Sequence, residues 1–191
     1  MTVDRLAARG AIESFLRALG HDPEHHEELR DTPERVVDAW ADELLSGHDV
    51  DVAALLAEGA DSSGSDLVVL RDVAVSVMCP HHLLPSQGSA VVAYEPGARL
   101  FGLGTLARLV DAYARRLTLQ ETVGRSIVDA LLRDGGATGA FCRLELRHAC
   151  LAARGERRPE AAIVTVASAG SLATAQGAAK LRLALDPVGD G

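Results

Sequence analysis

Asp72-Val73-Ala74-Val75-Ser76-Val77-Met78-Cys79-Pro80-His81-His82 decides how this chain is read, because it joins a strand pattern to a set of metal-ligand side chains. Valines recur with period two, so Val73, Val75, Val77 and Cys79 share one face and Cys79 stands at a strand end. Pro80 bends the chain away from the strand, and the resulting turn lets Cys79 and His82 close on a single ion. A second alternating run, Phe141-Cys142-Arg143-Leu144-Glu145-Leu146-Arg147, leads into His148-Ala149-Cys150. Leu144, Leu146, His148 and Cys150 share a parity, which predicts that His148 and Cys150 point the same way from one strand, with Cys150 as the third ligand.

Two thiols and three imidazoles, from Cys79, His81, His82, His148 and Cys150, are the sulfur and nitrogen donors that Zn²⁺ prefers. A catalytic zinc keeps three protein ligands and an open position for water, whose pKa falls to about 7; this points to hydrolysis. Each fragment alone has an ordinary explanation, since buried cysteines pack as small hydrophobes and a His-His pair in a loop is solvated. The metal reading rests on the two fragments together, each closing an alternating strand. Cys142 shares the parity of Cys150 but lies among leucines, so it is read as a core thiol.

Working outward, 191 residues with 48% hydrophobic and 24% charged content suit one substantial core with a small helical appendage, divided here as residues 1–66 and 67–191. An odd count of three cysteines and a start without a secretory pattern favour a reducing cytoplasm, where thiols bind metal. No apolar run approaches a membrane span. With 19 basic against 27 acidic residues the charge is −8, which excludes general nucleic-acid or anionic-membrane binding. Lys180 is the only lysine, so an anionic substrate must meet arginines locally.

The remaining pattern is helix and strand in alternating pairs. Ala8, Ile12, Phe15, Leu16 and Leu19 form a helical stripe stopped by Gly20; Asp31-Thr32-Pro33-Glu34 starts a second helix striped by Val36, Val37, Trp40, Leu44 and Leu45. Residues 59–65 read as a short flexible connection, and a strand around residues 89–94 pairs antiparallel with the first. Two helices follow, striped by Leu106, Val110 and Ala114 and by Val123, Ile127 and Leu131, then a strand at residues 162–167 and a terminal helix from Thr174 to Leu185. The order predicts an α+β fold.

Several separated motifs resemble the GTP cyclohydrolase I family, in the same order and over nearly the whole chain. Asp31-Thr32-Pro33-Glu34-Arg35-Val36 is similar to that family's helix start, Cys79-Pro80-His81-His82 to its Cys-Glu-His-His, and Leu106-Ala107-Arg108 to its Lys-Leu-Ala-Arg helix. Gln120-Glu121 matches its Gln-Glu, His148-Ala149-Cys150 its His-Met-Cys, and Arg154-Gly155 its following Arg-Gly. The resemblance implies the tunnelling fold, an antiparallel four-stranded sheet with two helices on one face plus N-terminal helices, assembled as a homodecamer of two pentamers with sites between subunits. It implies conversion of GTP to dihydroneopterin triphosphate with release of formate, with zinc on Cys79, His82 and Cys150. On the same basis His148 and His81 act in proton transfer, Gln120 and Glu121 hold the guanine, and Arg35, Arg108 and Arg154 meet the phosphates.

The chain departs from the family at Pro80, which stands for its Glu, and at Gly104-Thr105, which stands for its Ser-Lys. Thr105 removes a positive charge that a triphosphate would meet. Two alternatives follow: a specialised paralogue acting on a different or less phosphorylated purine nucleotide, and a non-catalytic binding or regulatory subunit that keeps zinc structurally.

Overall fold

A computed structural model describes residues 2–62 and 66–185. Helix α1 (Arg5–Ala18) starts where Asp4 accepts from the Ala7 N–H at 3.0 Å and stops at Gly20, whose φ of 86° and bonds back to the last turn make a left-handed cap. Its apolar stripe is not buried within the chain: Phe15 and Leu19 are 60% and 59% exposed. Arg5 ties α1 to the next helical segment through Asp38 at 2.7 Å and through Asp42.

Helix α2 (Thr32–Asp38) has proline in its first turn, as the sequence implies, and runs on into a π-helical segment, Ala39–Leu44. A short helix unforeseen in the sequence reading, α3 (Val52–Ala57), drives Leu55 and Leu56 into the core. Within the stretch read as a flexible connection, Ala60–Asp61 forms strand β1, which pairs with β4 (Arg99–Leu100). Residues 63–65 of that stretch lie outside the described residues.

The main sheet contains β2 (Val68–Met78), β3 (Pro85–Glu95), β5 (Gly139–His148) and β6 (Ile163–Gly170), in that spatial order and antiparallel throughout. Helices α4 (Leu103–Ala114) and α5 (Gln120–Arg133) cover one face, burying Leu106, Leu109, Val110, Val123, Ile127 and Leu131 against Val75, Val77, Val92, Leu144 and Leu146. Each such side chain contributes about 1.5–3 kcal/mol on burial. This is the α+β, two-helix, four-stranded architecture of the tunnelling fold expected above. Helix α7 (Ala175–Leu185) lies on the opposite face at the far end, where Leu181 and Leu172 pack on Phe141 and Ala93.

A bulge sets the parity of β2. Leu70 pairs with Val92 but Val73 pairs with Ala90, so two residues, Arg71 and Asp72, oppose Val91 alone, and Asp72 takes φ 57°. Val68 and Leu70 before the bulge and Val73, Val75 and Val77 after it therefore all meet the same core. At the other end, a Cβ on Gly88 would lie 2.0 Å from the Glu145 carbonyl oxygen, so only glycine lets β3 approach β5 there.

Candidate metal centre

Three segments converge where the sheet ends. The β2–β3 hairpin closes with Cys79 N–H donating to Leu84 O at 3.0 Å and Leu83 N–H to Cys79 O at 2.9 Å, placing Pro80, His81 and His82 in the loop. Leu83 takes φ 54°, the left-handed turn that brings the chain back into β3. The α4–α5 connection is pinned beside Cys79 by a Met78–Leu117 bridge and a Thr118 N–H bond to Met78 O at 3.3 Å. This aims the N-terminus of α5, with Gln120 and Glu121, at the same spot.

The third segment corrects the sequence reading. Strand β5 stops at His148, and Cys150 lies in a helical turn, α6 (Ala149–Ala152). Ser86 is the partner of His148, and Pro85, next along β3, lacks the N–H that would continue the ladder toward β5. The turn nevertheless returns the Cys150 thiol to the site. One ligand atom each from Cys79, His82 and Cys150 lies within 4.8 Å of the other two, the span of a single ion's coordination shell. Both thiols are half-buried and His82 is exposed, so the cluster opens to solvent on one side.

A cavity of about 190 Å³ is lined by all three of these residues together with His81, His148, Ser86, Gln120 and Glu121. The Cys79 sulfur lies 3.8 Å from His81 Nδ1. His148 is held on both ring nitrogens: Nδ1 is 2.9 Å from Ser86 Oγ and Nε2 is 2.9 Å from Gln120 Oε1. Gln120 is buried, whereas Glu121 is exposed at the cavity wall in the first turn of α5, where the helix dipole favours its charge. Cys142, by contrast, is fully buried among core residues, and burial pushes its thiol up to about 12.

The three arginines assigned to phosphate lie elsewhere within the single chain. Arg35 pairs with Asp31 at 3.1 Å, and Arg108 faces α3, where it reaches Glu58 at 3.6 Å beside a separate cavity of about 470 Å³. Arg154 is exposed beyond α6. None of the three lines the metal cavity. Ser86 escaped the sequence reading. Its signal was a polar residue on the parity of Ala90, Val92 and Tyr94, the buried side of β3.

A cluster of two thiols and an imidazole at the end of an antiparallel sheet, flanked by two further histidines and a carboxylate, makes this an α+β protein with a candidate metal site. Its family is shown by sequence. A family model described as GTP cyclohydrolase I matches residues 8–185. The GTP cyclohydrolase 1 of Chromobacterium violaceum is 40% identical over 173 residues, spanning 90% of this chain and 82% of that one. The GTP cyclohydrolase 1 of Dehalococcoides mccartyi is 35% identical over 170 residues, spanning 88% and 89%. The chain belongs to the GTP cyclohydrolase I family. Among solved structures, an archaeosine synthase QueF-Like in the apo form overlaps 56% of this chain and 95% of its own, with a TM-score of 0.46 and 16% identity. No helix among the described residues is long and apolar enough to cross a membrane.

Proposed function

We propose that this chain is a zinc-dependent GTP cyclohydrolase, which hydrolyses the guanine imidazole ring of GTP at C8, releases formate and forms 7,8-dihydroneopterin triphosphate. The convergence of Cys79, His82 and Cys150 carries the reading, because two thiolates and one imidazole fit zinc and leave a position free. Zinc held there supplies a Lewis acid and makes hydroxide available at neutral pH.

The chain's own side chains do the rest. His148, at the cavity wall, moves a proton at the opening ring, and His81, beside Cys79, serves the ribose side during rearrangement. Glu121 accepts in pairs from the guanine N1–H and exocyclic amine. Gln120 stands behind that edge and holds His148. Arg35, Arg108 and Arg154 bind phosphates, their guanidinium forks matching phosphate oxygens.

This assignment requires a second copy of the chain. One subunit's cavity is below the ~300–1,000 Å³ usual for ligand sites and has no arginine in its lining. Strand β6 supports assembly: it is an edge strand whose Ile163, Val164 and Val166 are 39%, 48% and 61% exposed. A homodecamer of two pentamers places the arginines of one subunit at the metal centre of another. Thiol ligands suit a cytoplasmic location.

Incubating zinc-loaded protein with GTP, GDP and GMP, and following formate and pterin by mass spectrometry, tests the reading. Formate with dihydroneopterin triphosphate from GTP is expected. No formate from GTP by a zinc-replete oligomer would overturn it, and turnover of GMP or GDP instead would transfer the activity to a less phosphorylated substrate, consistent with Thr105.

A further inference from the structure

Apart from the Tyr94 hydroxyl and the Cys142 thiol in the core, the buried polar side chains among the described residues are Ser86 at 2% and Gln120 at 3% exposure, and both bond the same imidazole. Gln120 Nε2 donates to Leu144 O at 3.2 Å and to Ile163 O at 3.0 Å, which occupies both amide hydrogens. The amide is thereby oriented, with its oxygen toward His148. An amide oxygen only accepts, so the ring nitrogen 2.9 Å away, Nε2, carries the hydrogen. Nδ1 then accepts from the Ser86 hydroxyl, 2.9 Å away.

Packing alone does not account for either residue. Val77, Ser86 and His148 form one cross-strand row on the helix-covered face of the sheet, in line with Val75, Ala90 and Leu144, where an apolar side chain avoids the cost of burying a polar group. We propose that Ser86 and Gln120 are positioning residues for His148, holding its ring in the Nε2–H tautomer and in one plane at the cavity wall. The inference rests on the reading of His148 as a proton-transfer residue.

The test uses the zinc-loaded full chain with GTP. Ser86→Ala is expected to lower kcat about 10- to 100-fold, while KM changes less than about threefold and zinc is retained. Ser86→Thr restores the hydroxyl on a strand-compatible side chain and should recover kcat to within about threefold of the parent. Ring-nitrogen NMR of histidine-labelled protein should show the Nε2–H tautomer for His148 in the parent and a tautomer mixture in Gln120→Met. A parent in the Nδ1–H form overturns the proposal. So does a Ser86→Ala kcat within about twofold of the parent while His148→Ala is inactive, an outcome that leaves the role of His148 standing. Equal losses in Ser86→Ala and Ser86→Thr, or loss of zinc from either, assign Ser86 to folding and also overturn it. Undiminished turnover by His148→Ala removes the underlying reading instead, a separate result.

Discussion

The central sheet ends in two polar clusters that differ in where their atoms point. At the Glu95–Gly139 end, the Glu95 carboxylate accepts from Ser171 Oγ and, at 2.7 Å, from Lys180 Nζ, so the chain's only lysine fastens α7 to the sheet. The Glu95 and Lys180 charges answer each other there. At the Pro85–His148 end, the ligand atoms of Cys79, His82 and Cys150 lie within 4.8 Å of one another, an arrangement that suits a cation. The comparison teaches that burial of polar atoms does not distinguish a clasp from a site. The type of the converging donors, two thiols and an imidazole, is what marks the candidate site.

The largest break should come from the ligands. Cys150→Ala is expected to reduce bound zinc from one per subunit to near zero and to lower formate release by about a thousandfold or more, read by elemental analysis and product assay. His148→Ala should leave zinc in place yet lower kcat by about 10²–10⁴, separating metal binding from proton transfer at the same end of the sheet. Cys142→Ser sharpens the contrast among the thiols. It should leave zinc and turnover unchanged but cost about 1–3 kcal/mol in a urea melt, because a hydroxyl replaces a thiol in a fully buried, apolar setting.

The smallest effect belongs to the clasp. Hydrogen bonds from Lys180 and then Ser171 hold the Glu95 carboxyl below its usual range. A depressed folded pKa contributes stability that is complete above the unfolded value of about 4.3 and is lost as pH falls through the folded value. Lys180→Ala should therefore be slightly less stable than the parent at pH 7, and the gap should close as pH drops below about 4. Turnover at pH 7 should not change.

How legible each region was follows from the range of the interactions that made it. The alternation of Val73, Val75 and Val77 and the stripe of Val123, Ile127 and Leu131 reflect burial on one face, a periodic demand that any reader of the sequence can recover. The same logic failed at Cys150, because a strand's end is decided by its neighbour, here Pro85, rather than by its own residues. For α1 the stripe marked the helix correctly, and the single chain leaves Phe15 and Leu19 on it exposed. Pairing of Ala60–Asp61 with Arg99–Leu100 depends on distant segments meeting and leaves almost no periodic trace in two residues.

For this protein the sequence alone determined the family, the α+β class and the candidate ligand types, since thiol, imidazole and their spacing are properties of the residues themselves. Tertiary structure decided what those residues face. Only the folded sheet brings Cys150 to Cys79 and His82 from a helical turn, and only the register of Ser86 against His148, with the Gln120 amide anchored on two carbonyls, assigns the imidazole its hydrogen. Hydrogen-bond direction depends on which atoms meet across strands, and that is settled by packing rather than by order along the chain.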